Sequence, residues 1–200
     1  MESPKKSFKA NLFYKGKPLV LNYQLMEARL KRKRLTPAQR AEYNRQLQNE
    51  GGFLTVADRE DTEPLLINFH FEEERYTLRV ATPGMFLGKL LSMENIRDGQ
   101  GQQTFEKQWV VVDRTEPTRF FLESVSPGTV RMLNVAKKAS SDNEIKGPIY
   151  LYEQPGRLEL DNQRYFSQTR IEGQHLLHDP FGVNFDIQVK DVPLSNDPSD

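Results

Sequence analysis

The chain has no cysteine, one tryptophan and no apolar run longer than stretches such as Trp109–Val112. Without cysteine, a disulfide scaffold, a thiolate zinc site and a cysteine nucleophile are all excluded. Runs this short fall far below the roughly 20 apolar residues of a membrane-spanning helix, so no membrane span is expected. Met1–Lys9 carries charges with no apolar segment behind it, so no signal peptide is expected. The expected location is the cytoplasm, or export without a classical signal. There is no net charge either: 28 Lys and Arg balance 28 Asp and Glu.

That balance hides an asymmetry. Residues 25–50 hold seven Lys or Arg against three Glu, and residues 179–200 hold five Asp against one Lys. Local patches of this kind, not the sum, steer partners. Aromatics are plentiful, with twelve Phe and seven Tyr among 200 residues. Such side chains supply the burial that offsets chain entropy, and the composition suits a soluble folded chain of one core.

Phe8–Tyr14 and Pro18–Tyr23 flank Lys15-Gly16-Lys17, the pattern of a hairpin. One surface helix follows. Thr36, Pro37 and Gln39 form an N-terminal capping box with proline in the first turn, and Gly51-Gly52 ends the helix. Its apolar stripe is thin (Ala38, Ala41, Tyr43, Leu47), so it is expected on the outside of a β body.

From Phe53 onward, short strand patterns alternate with turn chemistry. The expected strands are 53–58, 64–71, 75–81, 85–92, 104–113, 119–125, 129–135, 148–154, 157–162, 164–171, 174–178 and 183–190. Turns every 8–12 residues imply an all-β sandwich or barrel. Pro83-Gly84 and Pro127-Gly128 sit in similar settings 44 residues apart, with Gly173 a weaker third copy. The period sets loops 95–103 and 136–147 in equivalent places. Phe105–Asp113 and Ile149–Glu153 occupy the strand slot that follows.

In this spacing, residues 53–190 resemble the β-trefoil. The resemblance implies three four-stranded units closing into a barrel with a hairpin cap. Lectin-type trefoils carry Gln-x-Trp in each repeat; here only an adjacent Gln108-Trp109 occurs, once, so sugar-binding residues do not transfer. The alternative architecture is a two-sheet β-sandwich. The expected organisation is an N-terminal hairpin and basic helix over 1–52, a β body over 53–191, and a mobile tail over 192–200.

Chemistry-bearing motifs are few. No Gly-x-Ser-x-Gly, phosphate loop or dinucleotide fingerprint occurs, and no cofactor, metal or catalytic residue is assigned. His175 and His178, three apart, face opposite sides of a strand and lack the further ligands a zinc site needs. Arg29, Lys31, Arg32, Lys33 and Arg34 form the densest basic run, suited to an acidic partner. The run lacks interleaved aromatics, which disfavours nucleic acid. Trp109, Tyr150 and Tyr152 are the candidate ligand-binding aromatics, since exposed rings stack on apolar sugar faces.

The expected function is a non-enzymatic binding protein, a toxin or effector included, that recognises a glycan or protein through loops on a β scaffold. One alternative is an intracellular interaction protein docking through its basic helix. Another is a small hydrolase or metal-dependent enzyme built around His175–Asp186. Fold class does not choose among them.

Overall fold

A computed structural model describes residues 6–97, 103–112, 117–137, 144–154, 156, 160–169 and 182–191. The described chain is mostly β, with a helical insertion near its start. Its strands fall into a nine-stranded sheet and a four-stranded sheet.

The chain opens with β1 (Phe8–Tyr14) and β2 (Lys17–Leu21). Lys15 and Gly16 turn between them with φ of 50° and 77°. Both central residues at positive φ match the right-handed twist of a two-residue hairpin. The two strands pair only next to that turn, through Phe13 opposite Pro18 and Tyr14 opposite Lys17. Beyond it they diverge to other partners.

The larger sheet also holds β4 (Leu66–Glu72), β5 (Arg75–Val80), β8 (Arg119–Ser126), β9 (Thr129–Lys137), β10 (Glu144–Pro148) and β13 (Asn184–Asp191). Six of its strands close on themselves. β1 pairs with β4, β4 with β5, β5 with β8, β8 with β9, β9 with β13, and β13 with β1, all antiparallel. Residues 8–23, read from the sequence as an N-terminal hairpin, thus supply a central strand, and their last two, Asn22 and Tyr23, open the first helix. β1 carries Leu12 opposite Ile187 on one side and Ala10 opposite Ile67 on the other. A closed ring leaves no open edge among these strands.

Alternation along the ring strands explains the core. Phe8, Ala10 and Leu12 point inward from β1, Ile67 and Phe69 from β4, Tyr76, Leu78 and Val80 from β5. Phe120 and Leu122, Val130 and Met132, and Phe185 complete it. Phe8 stacks on Phe69 with centroids 4.8 Å apart, and Tyr76 meets both edge-on.

The four-stranded sheet runs β11 (Tyr150–Gln154), β12 (Gln163–Thr169), β7 (Gln103–Val112), β6 (Leu91–Arg97). Leu91, Met93, Val110, Val112 and Phe166 form one face and are buried in the main core. The short β3 (Leu54–Val56) pairs with β2.

The helical insertion lies between β2 and β3, and it is two helices rather than one. α1 spans Asn22–Leu30 and α2 spans Pro37–Asn49. The break between them is where Pro37 disfavours helical geometry at Thr36, which is extended at φ −67°, ψ 157°. The expected capping box forms: Gln39 N–H donates to Thr36 Oγ1 at 3.1 Å, and Thr36 N–H donates to Gln39 Oε1 at 2.9 Å. A small second core of Val20, Leu25, Met26, Tyr43 and Ala57 seats both helices. The Gly51-Gly52 pair does more than end α2. A Cβ on Gly51 would stand 2.7 Å from the Leu47 carbonyl, and one on Gly52 3.0 Å from that of Val112. The two glycines let the backbone pass close enough for Tyr23 N–H to reach Gly51 O and Val112 N–H to reach Gly52 O.

Several sequence expectations change here. Residues 85–92 were read as a strand, but 82–90 form a loop and β6 begins at Leu91. Gly84 and Gly88 take φ of 137° and 78°, which breaks the extended path. Pro127-Gly128, by contrast, turns β8 into β9. The two Pro-Gly pairs therefore hold different places in the fold. The counterpart of Pro127-Gly128 is Glu73-Glu74, which joins β4 to β5. The expected loops 95–103 and 136–147 are strand wherever they are described: 95–97 and 103 belong to β6 and β7, 136–137 and 144–147 to β9 and β10, and the residues between lie outside the described ones. Gly173, the expected strand 174–178, residues 157–159 of the expected strand 157–162 and the tail 192–200 lie outside the described residues, while 160–162 are described and form no strand.

Candidate functional site

The second face of the four-stranded sheet holds the candidate aromatics. In antiparallel pairs, residues directly opposite project to the same side. Tyr150 stands opposite Ser167, Ser167 opposite Trp109, and Trp109 opposite Glu94. One row across four strands therefore reads Tyr150, Ser167, Trp109, Glu94. Tyr152 and Tyr165, themselves paired, lie two residues along on the same face.

The rings form a continuous cluster. Trp109 meets Tyr152 edge-on at 5.4 Å and Tyr165 at 5.6 Å, and lies 6.2 Å from Phe53. Phe53 and Tyr165 are 5.0 Å apart. Burial divides their roles. Tyr150 and Tyr165 are each only 7% exposed and serve as packing. Trp109, Tyr152 and Phe53 are half-buried. Of the three aromatics named from sequence, Trp109 and Tyr152 therefore present ring surface, while Tyr150 lies beneath.

Two neighbours were not legible in the sequence. Tyr165 donates its hydroxyl to Glu50 at 2.5 Å, which ties the end of α2 to the aromatic face. Burial first, then the charge and hydrogen bond of Glu50, raise that hydroxyl's pKa well above the ordinary tyrosine range. Glu94 is half-buried and directly across from Trp109, and its carboxylate makes no hydrogen bond or ion pair among the described residues. Nothing in the local sequence distinguishes it from the chain's other glutamates, because its placement depends on the β6–β7 register.

The basic run resolves into two parts. Arg29, on the last turn of α1, is buried with 2% of its side chain exposed. Its Nε and Nη2 donate to the two carboxylate oxygens of Asp58, both at 2.8 Å. Nε also lies 3.6 Å from Asp161 Oδ2, and the guanidinium sits 5.7 Å from the Tyr43 ring centre. Arg32 bridges the same acids, at 2.7 Å from Asp58 and 2.5 Å from Asp161. Tyr43 donates its hydroxyl to Asp161 at 2.6 Å. Burial opposes ionisation of Asp58, yet the hydrogen bonds and charge of Arg29, with Arg32 behind, hold its carboxyl below the usual range. These contacts fasten the helical insertion to the segment before β12. Arg29 and Arg32 therefore serve the fold. Lys31, Lys33 and Arg34 are exposed and make no ion pair among the described residues.

The histidine region contributes less. His175 and His178 lie outside the described residues. Asp186, on β13, accepts a hydrogen bond from Thr129 Oγ1 at 3.3 Å. His70 is exposed on β4.

Comparison with protein-family models, with curated proteins and with solved structures finds no match.

Proposed function

We propose that this chain is a non-enzymatic binding protein of β-trefoil type that takes a saccharide at the Trp109–Tyr152 face. The trefoil reading is supported by the six-strand antiparallel ring and by the strand pairs β2–β3, β6–β7 and β11–β12 that accompany it. Those pairs stand where a trefoil's three cap hairpins would. On this reading the first unit begins at β1 and contains the two helices as an insertion.

The single observation that carries the binding reading is the grouping of Trp109, Tyr152 and Glu94. Two half-buried rings meet edge-on, and directly across from the indole stands a carboxylate with no hydrogen bond or ion pair among the described residues. An indole face covers the apolar C–H face of a pyranose, and such ring contacts contribute beyond area alone. The carboxylate accepts hydrogen bonds from sugar hydroxyls, and charged acceptors make the stronger ones.

The test is a glycan array probed with the native protein, Trp109→Ala and Glu94→Gln. A set of glycans bound by the native protein and lost in both variants supports the proposal. Identical binding by all three proteins, or binding by none, contradicts it.

A second reading rests on Lys31, Lys33 and Arg34. Their charges are not consumed by the fold, unlike those of Arg29 and Arg32, and they project beside the start of α2. An acidic protein face is the partner this suits. Reversing Lys31, Lys33 and Arg34 to Glu abolishes such an interaction; an unchanged set of captured proteins rules it out.

A further inference from the structure

Glu94 differs from the other half-buried acids among the described residues. Glu42 and Glu50 hold Arg45, Asp58 and Asp161 share Arg29 and Arg32, and Glu27 accepts the Tyr23 hydroxyl. Glu94 alone of these makes no hydrogen bond or ion pair among the described residues. Holding a carboxylate partly out of water without a counter-charge is unfavourable. A cation delivered by a ligand removes that penalty, which a neutral hydroxyl does only in part.

The surroundings of Glu94 favour a cation too. Its row across the sheet holds Trp109, Ser167 and Tyr150, and the row beside it holds Tyr152 and Tyr165. Lys107 and Arg97 lie further along β7 and β6, and Glu94 makes no ion pair with either. Glu50, behind Tyr165, is already held by Arg45 and by the Tyr165 hydroxyl. Aromatic rings carry negative charge on their faces and attract a cation, the indole most of all. Trp109 and Tyr152 stand at 81° to each other, so the two rings form a corner. Carboxylate and indole therefore both favour positive charge on a ligand at the same place.

Spacing says where on the ligand that charge sits. Directly opposite residues of an antiparallel pair have Cβ atoms about 4.5–5.5 Å apart, and Trp109 and Glu94 are such a pair. A pyranose laid on the indole thus brings a substituent of its own ring to the carboxylate. The substituent that fits is a protonated amine on a ring carbon, whose hydrogen bond to a carboxylate is the charge-assisted kind. An N-acetyl group there is neutral and bulkier, and a hydroxyl brings no charge. A lysine side chain supplies the charge but no apolar ring face for the indole.

We propose that the saccharide bound at this face is an amino sugar with an unsubstituted amine, its ring on Trp109 and its ammonium on Glu94. The inference rests on the saccharide reading and narrows it to one class of ligand.

The experiment is calorimetric titration of the native full chain, Glu94→Gln and Trp109→Phe. The ligands are β-1,4-linked tetrasaccharides of glucosamine, N-acetylglucosamine and glucose, which differ only at the second ring carbon, and tetralysine. The native protein is expected to bind the glucosamine tetramer about tenfold or more tightly than the glucose tetramer. Added salt is expected to shrink that preference. Glu94→Gln, a near-isosteric change, brings the glucosamine tetramer down to the affinity of the glucose tetramer, with thermal melting as in the native protein. Trp109→Phe, which keeps a ring in the packing, weakens all three saccharides. Equal affinity for the three saccharides, or a preference for the amine that survives Glu94→Gln, overturns the inference and leaves the saccharide reading standing. Tetralysine bound through Glu94 as tightly as the glucosamine tetramer overturns both. A native protein that binds none of the tetrasaccharides overturns the amino-sugar assignment, and the glycan array then decides the saccharide reading by itself.

Discussion

Arg29 and Asp58 form a two-pronged ion pair, Nε to Oδ2 and Nη2 to Oδ1, each at 2.8 Å, with the guanidinium 2% exposed. A charge so deeply placed is tolerable only while its partner remains. The pair joins α1 to the segment after β3, and through Asp161 to the approach to β12. It fixes where the helical insertion sits, and so where Glu50 meets Tyr165 behind the aromatic face.

Asp58→Ala leaves the Arg29 guanidinium buried with only the more distant Asp161 carboxylate and Asn162 carbonyl beside it. Breaking a buried pair from one side costs about 3–5 kcal/mol, and the lower end applies because Asp58 is itself 26% exposed. Arg29→Met removes the charge along with the pair and costs less. Urea denaturation of the two variants checks the order; equal losses would mean that the orphaned charge is of no consequence.

Acid acts on the same link. The Asp58 carboxyl is held below its ordinary value in the folded state, whereas the unfolded chain takes up the proton near about pH 3.9. The stabilisation is therefore complete above about pH 4 and is lost as pH falls through the lower folded-state value. Asp58→Asn is expected to start less stable and to lose less stability between about pH 5 and about pH 2. Parallel pH profiles for native and variant protein would show that Asp58 does not carry the acid sensitivity.

Tyr76 offers a gain instead of a loss. Its side chain is 2% exposed between Phe8, Phe69 and Phe71, and its hydroxyl has no hydrogen-bond partner. Burial pushes the hydroxyl pKa up to about 12. Tyr76→Phe removes an unsatisfied polar atom and is expected to stabilise the barrel by about 1 kcal/mol. The sign with pH follows from the raised value: the neutral hydroxyl's contribution is complete below about pH 10 and is lost as pH rises through about 12. The variant should lack that alkaline decline, as thermal melts across the range will report.

Local features of the chain were readable where one or two residues decide the outcome. Lys15-Gly16 and Pro127-Gly128 need positive φ and make turns, and Thr36 with Gln39 caps a helix because both hydrogen bonds lie within four residues. Pro83-Gly84 marks a turn just as plainly, yet the chemistry of a turn does not say whether strands pair across it. Here Phe86 folds inward and no hairpin forms. The placement of β1 was hidden for a different reason. Its partner β13 lies at the other end of the chain, with Leu12 opposite Ile187, and no local pattern encodes that register. The basic run misled in the same way, since Arg29 and Arg32 look solvated until Asp58 and Asp161 are brought beside them. Trp109 and Tyr152 were legible as candidates from residue type and spacing. Glu94 was not, because only the β6–β7 pairing sets it against the indole.

The measurement closest to the central claim uses Trp109 itself. It is the sole tryptophan, so intrinsic fluorescence reports on one ring in the proposed site. Saccharide bound there shifts or quenches the emission along a saturable curve, and Glu94→Gln moves that curve to higher concentration without altering the unliganded spectrum. A saccharide that binds by calorimetry yet leaves the emission of Trp109 unchanged would contradict a site on this face.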